Sequence, residues 1–175
     1  RTGTPSSLYT GCKVNDPRDY LKSVSDILLQ VPREAIQEII SILRQARAER
    51  QRIFIFGNGG SAATASHFTV DMIKSTIRSD QPRFKILCLN DSIPTLTAYS
   101  NDVNYDVIFA EPLVSLAEPG DVAIAVSGSG NSPNVLCAMD KAKEIGMTRI
   151  ALTGYAGGKL KDKSDVCVIV PSDSM

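Results

Sequence analysis

Apolar positions recur along this chain in two different rhythms. Tyr20, Leu21, Val24, Ile27, Leu28 and Val31 repeat at three and four, which marks one face of a helix. Asp16-Pro17 supplies its start, with proline in the first turn, and Pro32 ends or kinks it. A second helical stripe follows at Ile36, Ile39, Ile40, Leu43 and Ala46, with Arg33, Glu34, Glu38, Arg44, Arg47 and Glu49 on its outer face. The two predict an apolar helical hairpin. From residue 52 the rhythm changes to short apolar runs near 52–56, 84–89, 121–126, 148–153 and 165–170, separated by helical patterns near 61–78, 92–99, 105–117 and 132–146. The runs are continuous rather than alternating, which predicts strands buried on both faces in a parallel sheet covered by helices. Residues 1–15 are polar and turn-rich and read as a flexible arm, leaving 16–175 as a single domain.

Two of the predicted strands run into similar turns. Ile53–Phe56 leads to Gly57-Asn58-Gly59-Gly60-Ser61, and Val122–Val126 leads to Ser127-Gly128-Ser129-Gly130-Asn131-Ser132. Each turn opens a helix, whose N-terminus offers unpaired N–H groups and a partial positive charge. The first turn is neither a P-loop nor a GxGxxG fingerprint, so no nucleotide cofactor is expected. In the second, hydroxyls at 127, 129 and 132 make a neutral donor cluster suited to a phosphate monoester, with Ser132 placed as N-cap before Pro133. Open parallel sheets bind ligands beyond the carboxyl ends of their strands, where both turns lie. The expected ligand is a phosphorylated sugar.

Composition narrows the picture further. With 19 basic and 19 acidic residues among 175, no broad positive field is available for direct nucleic-acid binding. No run approaches the length of a membrane span, and without a continuous apolar stretch near its start no secretory leader is expected. Cys12, Cys88, Cys137 and Cys167 are scattered, as expected of reduced thiols in a cytoplasmic protein. The width of the second helical stripe favours an oligomer.

His67, the sole histidine, stands four residues before Asp71. On a helix the two share a face, as a general acid/base pair, two metal ligands or an ordinary surface pair. Asn101-Asp102 closes another predicted helix, placed either to cap it or to reach a sugar hydroxyl.

Taken together, GNGGSAATASHF (57–68), SND (100–102), SGSGNSPNV (127–135) and LTGYAGGKL (152–160) resemble the sugar isomerase (SIS) family, over about residues 17–175. The resemblance implies a flavodoxin-like three-layer α/β/α sandwich with a five-stranded parallel sheet, behind the N-terminal helical hairpin. It implies that Ser127, Ser129 and Ser132, with Gly128 in the same turn, hold a substrate phosphate. Asn58, Gly59, Gly60 and Ser61, with Asn101 and Asp102, would contact the sugar. The nearest branch interconverts sedoheptulose 7-phosphate and D-glycero-D-manno-heptose 7-phosphate through an enediol. Asp71 would then be the acid/base, and His67 would orient it or join it in holding zinc. Asp71 stands where the family has glutamate, one methylene longer. Members of the branch form tetramers, with dimers elsewhere in the family. They continue into a C-terminal helix with a second catalytic histidine, which this chain does not reach. The alternatives are a non-catalytic phosphosugar-binding regulatory or protein-interaction domain, and an amino-sugar isomerase or etherase using the same cradle.

Overall fold

The computed structural model describes residues 16–172, so the arm expected at 1–15 lies outside the described residues. Two helices come first. The Asp16 carboxylate caps α1 (Pro17–Gln30) by accepting the Arg18 N–H at 2.8 Å. Helix α2 (Arg33–Ala48) buries Leu43 and Ala46 against the sheet, whereas α1 buries none of its residues. Five strands follow: β1 (Arg52–Gly57), β2 (Lys85–Cys88), β3 (Val122–Ser127), β4 (Thr148–Thr153) and β5 (Val166–Ile169). All pair in parallel, in the order β2-β1-β3-β4-β5. This is the flavodoxin-like arrangement, with its switch point between β1 and β3.

The central strands match the expectation of burial on both faces: Ile53, Phe54, Ile55 and Phe56 of β1 are all buried, as are Val122 to Ala125 of β3. On one face, Phe54, Phe56 and Ala125 pack with Phe109, Leu113 and Met139 beneath α5 (Ala110–Leu116) and α6 (Pro133–Ile145); the Phe56 and Phe109 rings stack at 5.2 Å. On the other, Ile53, Ile55, Ile124 and Ile150 meet Leu43, Ala46 and Ala65 under α2 and α3 (Gly60–Val70). Each large side chain buried this way stabilises the fold by about 1.5–3 kcal/mol. The edge strands depart from the expectation. Along β2, Lys85 and Leu87 are exposed while Ile86 and Cys88 are buried, and β5 alternates similarly. An edge strand has only one neighbour and one fully covered face.

Two predicted helices are interrupted. The run expected over 61–78 leaves α-geometry at Val70 and continues as a π turn over Asp71–Ser75. At the junction the Asp71 N–H is shared between the carbonyls of His67 and Phe68, and the Thr76 hydroxyl bonds the Met72 carbonyl at 2.6 Å. Such competition for backbone carbonyls bends and widens a helix. The run expected over 105–117 is a 3-10 turn, Tyr105–Val107, followed by α5. Asn104 caps the turn at the Asp106 N–H, and Pro112 has no N–H to bond the carbonyl four residues back. Helix α4 (Ile93–Asp102) extends three residues beyond its expected end.

Candidate active site

The turns after β1 and β3 meet at the switch point. Asn58, Ser61, Val126, Ser127, Gly128, Ser129 and Ser132 line one cavity of about 180 Å³. Gly57 makes this approach possible, because a Cβ there would lie 2.5 Å from the Val126 carbonyl oxygen and 2.8 Å from the Ser61 Cβ. Asn90 ties the same glycine down from β2, donating to its carbonyl at 2.8 Å and accepting its N–H at 3.2 Å. Gly59 and Gly60 form the entry to α3 and are not among the lining residues; Gly59 takes φ +54.

No charged side chain lines the cavity. Its polarity comes from hydroxyls and main chain. Ser127 Oγ accepts the Gly130 N–H and Ser129 Oγ accepts the Asn131 N–H, both at 3.2 Å, which leaves each hydroxyl proton to donate to an anion. Ser132 is the N-cap residue of α6 as expected, but its side chain makes no capping bond. The hydroxyl is thus available at a helix terminus that favours negative charge.

Two residues that the sequence reading did not single out hold this geometry. Asn134, 1% exposed, exchanges a reciprocal pair of side-chain hydrogen bonds with Asn58, at 2.8 and 2.9 Å, and its Oδ1 also accepts the Val135 N–H at 2.9 Å. The Tyr105 hydroxyl donates to Asn58 Oδ1 at 3.1 Å. Asn58 is thereby clamped to the first turn of α6. Asn134 lies two residues beyond Ser132, in the motif already marked, and its burial was the missing signal.

The LTGYAGGKL stretch also acquires a role. Its glycines press main chain against the serine turn. A Cβ on Gly130 (φ +64) would lie 2.1 Å from the Gly157 carbonyl oxygen, and one on Gly158 (φ +55) 2.4 Å from that of Ser129. Backbone bonds seal the contact, Gly154 to Gly128 at 2.9 Å and Leu160 to Gly130 at 3.0 Å, and the Lys159 N–H donates to Asn131 Oδ1 at 3.1 Å.

His67 and Asp71 are in contact, Nε2 to Oδ2 at 3.3 Å, on the outer face of the helix that starts at the cradle. They are open to solvent, 79% and 58% exposed, and line a separate shallow cavity of about 470 Å³ with Ala63, Thr64 and Phe68. Six residues separate Ser61 from His67, roughly 9 Å of helix rise. As metal ligands the pair supplies two donors, and no cluster of three His, Cys, Asp or Glu exists among the described residues. Zinc takes three or four protein ligands, so the pair fits only part of a zinc site. Asn101 and Asp102, expected to touch the sugar, sit exposed at the end of α4, bonded to each other at 2.8 Å, and do not line the cradle. The described cysteines, Cys88, Cys137 and Cys167, are free, and burial pushes the Cys88 thiol up to about 11. No helix among the described residues is long and apolar enough to cross a membrane.

The SIS domain family matches residues 19–154. The chain is 42% identical over 142 residues to the phosphoheptose isomerase of Thiobacillus denitrificans, covering 79% of this chain and 72% of that protein. It is 39% identical over 140 residues to the phosphoheptose isomerase of Helicobacter pylori, covering 80% and 72%. The structure of a phosphoheptose isomerase from Francisella tularensis superposes with a TM-score of 0.85 at 26% identity, covering 94% of this chain and 88% of that one.

Proposed function

The chain belongs to the SIS domain family, and from that premise we propose how its residues divide the work of a phosphoheptose isomerase, the interconversion of sedoheptulose 7-phosphate and D-glycero-D-manno-heptose 7-phosphate. The observation that carries the proposal is the convergence of both polar turns on one neutral, hydroxyl-lined cavity at the N-terminus of α6. Ser127, Ser129 and Ser132 hold the phosphate there, and Asn58 and Ser61 contact the adjoining carbons. Anchoring one end of a flexible sugar fixes the reacting end and removes much of the entropic barrier.

The chemistry transfers a proton between C1 and C2. From the ketose, a base removes a proton from C1 while the C2 carbonyl oxygen takes up a proton, giving an enediol; the C1 hydroxyl then gives up its proton as C2 takes one back, leaving the aldose carbonyl at C1. Asp71 is the proposed acid/base and His67 orients it through their 3.3 Å contact. His67 stands roughly 9 Å of helix rise beyond Ser61, commensurate with an extended seven-carbon chain whose phosphate rests in the cradle, and the Asp71 carboxylate reaches its Nε2 from the following turn. Gly59, Gly60, Asn101 and Asp102 remain proposed sugar contacts of the assembled protein. Zinc bound at His67 and Asp71 would polarise the substrate oxygens, with its remaining ligands from outside the described residues.

We further propose a homo-oligomer, a tetramer in preference to a dimer. The apolar side chains of α1 support it: Leu21, Leu28 and Leu29 are 66%, 65% and 82% exposed. The free thiols support a cytoplasmic location.

The test supplies sedoheptulose 7-phosphate to the full-length protein, with and without zinc, and follows the aldose by NMR. Turnover that disappears in Asp71→Asn and His67→Ala, with phosphosugar binding retained, is the expected result. Phosphosugar binding without turnover in the unmodified protein would overturn the assignment.

A further inference from the structure

A second polar cavity, of about 460 Å³, lies at the other end of the sheet, between the last turns of α2 and the segment that leads into β2. Arg44, Arg47, Ala48, Arg78, Gln81 and Pro82 line it, so three guanidiniums face one concavity and no carboxylate is among the lining residues. The two stretches that build it, 44–52 and 74–85, carry eight lysines and arginines against Glu49 and Asp80, in a chain whose 19 basic and 19 acidic residues balance.

The three arginines are not equivalent. Arg47 is fixed in advance: Nε donates to the Pro82 carbonyl at 2.6 Å, a second nitrogen to the Thr76 carbonyl at 3.3 Å, and the guanidinium stands 5.0 Å from the Phe84 ring centroid. Arg44 makes no hydrogen bond or ion pair among the described residues. Arg78 has only Asp80, at 3.5 Å, with both side chains 65% exposed. Such a pair is weak and readily exchanged for a better anion. A helix C-terminus explains one cation in the last turn of α2, which Arg47 satisfies. It does not explain three converging on a hollow of the size that small ligands occupy.

We propose that this cavity binds a small ligand carrying a diphosphate group. Three guanidiniums can meet two phosphates with paired N–H donors, which lysines as point charges cannot reproduce. Gln81 adds a neutral donor and acceptor for whatever the diphosphate carries. The site is separate from the cradle: Arg52 and Lys85 open β1 and β2 at this end, while Gly57 and Ser127 close β1 and β3 at the other, about 17 Å of strand away.

The experiment is calorimetric titration of the full-length protein with inorganic pyrophosphate at about 150 mM NaCl, with ADP in a second arm to distinguish an organic from an inorganic source. The expected result is saturable binding that survives Ser129→Ala and weakens by about tenfold or more in Arg44→Ala/Arg78→Ala. Both arginines are exposed, and circular dichroism checks that the variant stays folded. Absence of binding to either probe overturns the proposal. So does binding abolished by Ser129→Ala but retained without the arginines, or full affinity in Arg44→Lys/Arg78→Lys, which would reduce the site to a diffuse positive field.

Discussion

Replacing Asn134 with alanine removes the clamp between the two polar turns. Its side chain takes part in three hydrogen bonds: two exchanged with Asn58 and one accepted from the Val135 N–H. A net 0.5–1.5 kcal/mol for each gives about 1.5–4.5 kcal/mol of lost stability. The upper part of that range is expected, because Asn134 is 1% exposed and alanine would strand the Val135 N–H away from water. Asn58 is half-buried and keeps its Tyr105 bond, so its share of the loss is smaller. Urea unfolding measures the total as a lower midpoint at unchanged slope. A double-mutant cycle with Asn58→Ala isolates the pair, with an expected coupling of about 1–2 kcal/mol. The same variant should raise KM for the phosphosugar, since Asn58 and Ser132 would no longer be held across the cavity. Stability within about 0.5 kcal/mol of the parent, together with zero coupling in the cycle, would refute the reasoning.

Other outcomes follow from single features. Ser129→Ala should weaken phosphosugar binding by roughly 1–3 kcal/mol in a titration, since it removes a donor to an anion; unchanged affinity would count against the cradle. Gly158→Ala should destabilise by about 3 kcal/mol or more in a thermal melt, combining a left-handed backbone with a Cβ placed 2.4 Å from the Ser129 carbonyl oxygen; a melt like the parent's would contradict that contact. Cys88 should resist iodoacetamide near pH 8 in the folded protein and react once it unfolds, as mass spectrometry would show. Its folded pKa is raised from 9.0 to about 11, so its contribution to stability is complete below about pH 9 and fades as pH climbs toward 11; labelling of the folded protein at pH 8 would contradict the burial.

The sheet was legible because its central strands carry continuous apolar runs such as Ile53–Phe56 and Val122–Val126, and both turns read correctly because glycine and serine there have local reasons. The buttress was harder to read. Gly130, Gly157 and Gly158 matter through a contact between segments almost thirty residues apart, and a glycine has no side chain to advertise it. Asn134 was hidden by its type, since a polar residue in a first helical turn ordinarily faces water. The break at Asp71 depends on which carbonyl its N–H chooses, a matter below the resolution of apolar spacing. Asn101 and Asp102 were placed by motif rather than by geometry, and they are not among the residues that line the cradle.

Helix α1 has 14 residues and fully buries none of them, with only Val24 and Ile27 partly covered. A segment that short is marginal in water on propensity alone, because the first turn fixes several residues for a single bond. In the oligomer proposed above its order would depend on company, and protein concentration would become a structural variable. On dilution, helix content should fall from this end first while the sheet stays intact.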